Sequence, residues 1–185
     1  MKRIETWAWV GCPAGLLRIL AELNFLVSQP LHEEKLQEVL HNPKLEEFSC
    51  LDWAVEFPEK SRLVQRHHVA CAYKDAIYIY GSRAFGKLVI DDMISLALRH
   101  LKEIQADDSH FKGTTWPAFV VGAEAQQPEE RLFVARLIQN LYGLTHMTNI
   151  RRALLALQRI WDRPSHVDKS WIDYSHGHED NLLVL

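Results

Sequence analysis

Residues 81–87 read Gly81-Ser82-Arg83-Ala84-Phe85-Gly86-Lys87, which matches the opening of a loop that cradles phosphate with glycine backbone and a lysine. The next position is Leu88, where such a loop needs a Ser or Thr hydroxyl to hold magnesium. The residues ahead of Gly81 also keep helical spacing back to Leu63, so the strand that must precede the loop is missing. A plain interhelical connection is the expectation. A second constellation, His176-Gly177-His178-Glu179-Asp180, carries four donor side chains, yet a closed metal site needs three or four ligands on rigid elements. Lying beside a glycine near the C-terminus, it reads as a solvated or loosely docked tail. His67 and His68 are neighbours on a helix, about 100° apart, and are expected to diverge. Asp91-Asp92 and Glu33-Glu34 diverge for the same reason and make poor acid–base dyads. No Ser or Cys stands in a nucleophile elbow. No catalytic residue, no metal ligand and no cofactor is therefore assigned.

The elements that must position any site are helical. The chain has 185 residues, enough for one domain with a sizeable core, and its 48% hydrophobic and 24% charged content is that of a globular protein. Gly and Pro are too few for a turn-rich β-sandwich. Net charge is −3, and the 21 Lys and Arg are scattered, which argues against a nucleic-acid surface built on a basic stripe. Cys12, Cys50 and Cys71 are odd in number and far apart, as suits buried free thiols in a reducing compartment. No run approaches the roughly 18 apolar residues of a membrane span. Glu5, Arg18 and Glu22 break up any signal-peptide core after Met1-Lys2-Arg3. A soluble, intracellular chain is expected.

Residues 14–27 bring Leu16, Leu17, Leu20 and Leu23 to one helical face, entered through Gly11-Cys12-Pro13. A short helix is expected at 33–40, whereas 46–58 shows no usable period. Helical spacing returns at Leu63, His67, Ala70, Tyr73, Ile77 and Tyr80, and again at Ile90, Ile94, Ala97, Leu101 and Ile104. Pro128, Glu129 and Glu130 open a helix whose inner face is Val134, Leu137, Ile138 and Leu141. Gly143 stands where a left-handed terminal residue would close it. Met147, Ile150, Leu154, Leu157 and Trp161 form the last such face, stopped by Pro164. The fold class is all-α: a single irregular domain over residues 1–185, of about seven or eight helices.

The densest punctuation is Thr115-Trp116-Pro117-Ala118-Phe119-Val120-Val121-Gly122-Ala123-Glu124-Ala125, followed by Pro128, Arg131 and Arg136. Thr115 is placed to cap a helix that tolerates Pro117 in its first turn. Glu124 is expected to pair with Arg131 or Arg136 and tie two helices across the Gln126-Gln127 turn. Trp116 and Phe119 should be largely buried, Trp161 should close the same core from the end of its own helix, and Gly122 should mark a close helix approach.

These residues carry a resemblance. Trp116-Pro117, Phe119, Gly122, Glu124-Ala125, Arg131 and Trp161 resemble, in order, the signature of the C-terminal regulatory region of fungal zinc-cluster transcription factors. Gly11-Cys12-Pro13 with Leu16-Leu17, and Tyr73, Ala76, Ile77, Tyr78 and Tyr80 with Arg83, are similar to two further motifs of that family. The likeness spans nearly the whole chain. It implies a helical regulatory domain, a nuclear location (or a cytoplasmic one if the chain is regulated or truncated), and partners in the transcription machinery or self-association. It also allows a small hydrophobic ligand, although no residue here marks its contacts. The family's six-cysteine zinc cluster cannot be built from three dispersed cysteines, so DNA binding is not carried over. The chain looks like the C-terminal half of a longer family domain. Two alternatives differ in class: a small helical enzyme or nucleotide-binding protein using residues 81–87 or the histidines, and a helical scaffold with no ligand.

Overall fold

The computed structural model describes residues 11–27, 43–57, 60–84, 91–163 and 170–172. The helix expected at 33–40, the His176 to Asp180 cluster and residues 85–90 lie outside them. The described residues are helical, without strands, as an all-α fold requires.

Helix α1, Ala14–Val27, buries Leu16, Ile19, Leu20 and Leu23. Its entry is set by Gly11, whose φ of 70° lies in the left-handed region. A Cβ there would stand 2.9 Å from the Gly113 backbone, so a side chain is excluded by contact as well as by conformation. A short turn, α2 (Pro43–Glu46), leads to α3 (Cys50–Val55), which the apolar period did not reveal. With six residues α3 is too short to show a period, but its Ser49 side chain accepts from the Asp52 N–H at 3.1 Å, a standard N-cap.

Helix α4, Leu63–Ala84, is the axis of the molecule and packs against α5, α3, α6 and α1. That surrounding explains its lack of a single apolar stripe. Val69, Ala70, Ala72, Tyr73, Ala76, Ile77, Ile79 and Tyr80 are buried on several sides, and the alanines let neighbours approach. Helix α5, Asp91–Glu103, turns Ile94, Ala97, Leu98 and Leu101 inward and keeps Asp91 and Asp92 in its first turn.

A 3₁₀ turn, Phe111–Thr114, runs directly into α6, Thr115–Glu124. Thr115 is therefore the first helical residue and not the cap. Thr114 precedes the helix, and its hydroxyl donates back to the Phe111 carbonyl at 2.7 Å. Helix α7, Pro128–Thr145, buries the four residues expected, Val134, Leu137, Ile138 and Leu141. Its end differs from the sequence reading. Gly143 is helical, and His146 takes the left-handed position (φ 53°), its N–H donating to the Tyr142 carbonyl at 2.7 Å. His is one of the side chains that tolerate positive φ, so the helix can run past the glycine. Helix α8, Thr148–Trp161, puts Ile150, Ala153, Ala156 and Leu157 inside and Arg151, Arg152 and Arg159 outside.

Candidate functional site

The motif residues scattered along the sequence meet around α6. At its centre is Gly122. A Cβ on this residue would lie 2.7 Å from Val134 Cγ1 and 3.0 Å from Leu157 Cδ1, so α7 and α8 both press on α6 at this point. The Gly122 carbonyl accepts the indole N–H of Trp161 at 2.8 Å, which ties the end of α8 to α6. Arg131 Nε donates to the Ala125 carbonyl at 2.9 Å, and its guanidinium lies 5.9 Å from the centre of the Trp161 ring. The turn between α6 and α7 is thus closed by an arginine that binds backbone and stacks on tryptophan.

Glu124 is buried, with only 5% of its side chain exposed, but neither Arg131 nor Arg136 is its partner. The fork of Arg83, from the last turn of α4, grips it instead: Nε donates to Oε1 at 2.6 Å and the terminal nitrogen pairs with Oε2. Arg131 is held on Ala125, and Arg136 is exposed. The carboxylate raises the Arg83 guanidinium above its ordinary range, chiefly through the hydrogen bond. Trp171, in the short segment 170–172, donates its indole N–H to Glu124 Oε1 at 2.6 Å. Three donors from two other parts of the chain therefore converge on one acid. Trp171 carried no periodic signal, and the sequence offers no means of assigning it this role.

Aromatic rings wall the other side. Trp116 stacks on Tyr73, with centroids 6.0 Å apart and planes 10° apart, and meets Tyr80 edge-on at 6.0 Å. Trp171 contacts Tyr80 and Phe119. Phe119 and Pro117 are buried, whereas Trp116 is only half-buried, because it sits in the first turn of α6 at the margin of this wall. The Tyr73 hydroxyl donates to the Gly113 carbonyl, beside the point where Gly11 touches Gly113. Gly11-Cys12-Pro13, Tyr73, Arg83, the Trp-Pro helix and Trp161 thus form one connected frame. Chemically this frame is a clamp: its acid is spent on donors.

Other constellations of reactive side chains fall short of a site. Gly81 to Ala84 close α4 as helix, and Ile77 to Tyr80 before them are helical too, so a phosphate loop lacks its strand. Asp108, Ser109 and His110 adjoin, but Ser109 Oγ (3.2 Å) and Asp108 Oδ1 (3.2 Å) both approach the same His110 nitrogen. A hydrolytic triad needs the two on opposite nitrogens. His67 and His68 do not diverge as their spacing suggests. Their ring centres are 5.7 Å apart, and both face His100 of α5, at 6.5 and 5.1 Å. His68 Nδ1 and His100 Nδ1 share a hydrogen bond of 2.8 Å, which occupies both nitrogens. Burial, then the charges of His68, Arg99 and His67, pushes His100 down to about 4. Among the described residues no group of three or more His, Cys, Asp and Glu is arranged to hold a metal ion. None of the described helices is long and apolar enough to cross a membrane.

Comparison with known proteins gives the family of the chain. No solved structure matches the chain. The acriflavine sensitivity control protein acr-2 of Neurospora crassa is 28% identical in an alignment 133 residues long that covers 64% of this chain and 22% of that protein. The chain therefore corresponds to well under half the length of that relative. The family model described as the fungal specific transcription factor domain matches residues 2–184. On that match, together with the all-helical fold, the chain belongs to the fungal specific transcription factor domain family.

Proposed function

We propose that the chain is a non-catalytic regulatory or effector domain that controls transcription in the nucleus through ligand or protein contacts and contributes no DNA-binding surface. The observation that carries this reading is the family match over residues 2–184. Two features support it. The frame around Glu124 uses its charged and aromatic groups to hold helices together. The net charge of −3 and the dispersed basic residues give no electrostatic footprint for duplex DNA. Its partners are proteins of the transcription machinery or a second copy, and its ligand, where one is used, is small and hydrophobic.

The test is to fuse the chain to an unrelated DNA-binding module and measure a reporter carrying that module's site. Reporter output should rise or fall relative to the module alone, while the isolated chain leaves duplex DNA unretarded at micromolar concentration. An unchanged reporter from a folded, nuclear fusion would contradict the regulatory reading. Salt-sensitive retardation of DNA would contradict the rest.

A further inference from the structure

Helices α7 and α8 form an antiparallel hairpin: only His146 and Met147 join them, and Val134 from early α7 meets Leu157 from late α8 at Gly122. From Arg131 to Trp161 the hairpin carries five arginines and no Asp or Glu, in a chain that has 24 acids. Arg131 is held on Ala125, but Arg136, Arg151 and Arg152 are exposed. The last two lie in the opening turns of α8, where the helix dipole disfavours cations and the first turn holds no acid. Leu155 stands among them, because positions 151, 152 and 155 fall within about 100° of helix surface, opposite buried Ile150, Ala153 and Leu157. Leu144 and Met147, at the turn, are exposed as well. Beside them on α7 is Gly143, helical and exposed, where a Cβ would meet nothing within 4 Å. A glycine inside a helix weakens it relative to alanine. Gly122 is explained by the side chains that press on it, whereas among the described residues nothing requires a glycine at 143.

We propose that the turn end of this hairpin docks an acidic amphipathic helix of a partner protein. The partner's carboxylates meet Arg136, Arg151 and Arg152, whose planar forks can each take a carboxylate through two N–H bonds. Its apolar side chains cover Leu144, Met147 and Leu155, large exposed groups rimmed by charge. Its backbone crosses at Gly143, where the missing side chain lets two helices come close. Charge decides against the other occupants. A second copy docked through the same face would set arginine against arginine. Duplex DNA supplies phosphates but nothing for the three apolar side chains, and three arginines fall short of a basic stripe. The inference deepens the regulatory reading and rests on it in taking the partner to be a protein.

The test titrates the full chain into a fluorescein-labelled synthetic helix of about 20 residues, leucines at helical spacing flanked by glutamates, and follows anisotropy. The parent should bind at micromolar concentration, more weakly as salt is added. Arg151→Glu together with Arg152→Glu should weaken binding about tenfold or more, and Leu155→Ser about fivefold. Gly143→Leu should weaken it about tenfold without lowering the melting temperature, because the added side chain meets open space in the free chain. A peptide with lysine in place of each glutamate should not bind. Absence of binding by the parent, equal binding of the lysine peptide, or full affinity in Gly143→Leu overturns the proposal. So does a dimer in sedimentation that the arginine variants dissolve, or duplex DNA retarded through the same arginines. Failure of the peptide while the fused chain still changes its reporter removes this surface and leaves the regulatory reading. An unchanged reporter removes that reading whatever the peptide does.

Discussion

Two carboxylates, buried Glu124 at the end of α6 and half-buried Asp75 in the middle of α4, stand in opposite electrostatic settings. Glu124 receives a bidentate arginine and an indole N–H. Asp75 has one oxygen with no hydrogen-bond partner, and the nearest ring nitrogen, His100 Nε2, is 3.9 Å away on a histidine pushed down to about 4. Burial raises Asp75 to about 6, against the lowering effect of Lys74 and Arg99. Burial of an acid is thus not one condition. Where donors are built in it anchors helices, and where they are missing the fold gains by taking up a proton.

The largest effect should come from taking the partnered acid away. Glu124→Ala leaves Arg83 and the Trp171 indole facing an emptied site, and should cost about 3–5 kcal/mol in chemical denaturation. A cost near zero would mean that Arg83 simply swings into water. Gly122→Ala tests the approach of α7 and α8 to the same corner, where the added methyl meets Val134 and Leu157 at 2.7 and 3.0 Å. Relief requires shifts on two helices, and a loss of about 1–3 kcal/mol is expected.

The α4–α5 side should show itself through pH. His100 is depressed in the fold, so its contribution is complete above the unfolded value of 6.5 and is lost as pH falls toward about 4. Asp75 has the opposite sign. Its pKa is raised to about 6 from 3.8, so it adds stability at low pH and loses it as pH rises through about 6. The two slopes oppose each other between these values. The parent should therefore vary little there, while Asp75→Asn should become less stable by about 1–2 kcal/mol from pH 6.5 to pH 4. A flat profile in that variant would show that His100 is free to charge inside the fold. The smallest effect returns to the corner. Trp161→Phe removes only the bond to the Gly122 carbonyl and part of the Arg131 stacking, for about 0.5–1.5 kcal/mol.

The same contrast explains what could be read in the sequence. Helices α1, α7 and α8 were legible because each buries one face, so apolar period and punctuation agree. Gly122 was legible as a close approach because a glycine inside an apolar helix has few other uses. The partner of Glu124 was not. Residues 131 and 136 lie close by in sequence, whereas Arg83 comes from 41 positions away and becomes its partner only when α4 packs on α6. The His68–His100 contact, 32 positions apart, is likewise a product of packing, and helical spacing alone sent the two rings of His67 and His68 apart. Helix α3 left a trace in the Ser49–Asp52 cap but was too short for its period to show.

One pair of variants weighs the two acids directly. Glu124→Gln and Asp75→Asn make the same exchange of carboxylate for amide, and both can be followed by urea denaturation at pH 7.5 beside the parent. The clamp around Glu124 predicts opposite signs: loss for Glu124→Gln, which gives up the charge that Arg83 grips, and a gain of about 1–2 kcal/mol for Asp75→Asn, which removes a poorly paired, half-buried charge. Equal losses in both variants, or a Glu124→Gln variant as stable as the parent, would contradict it.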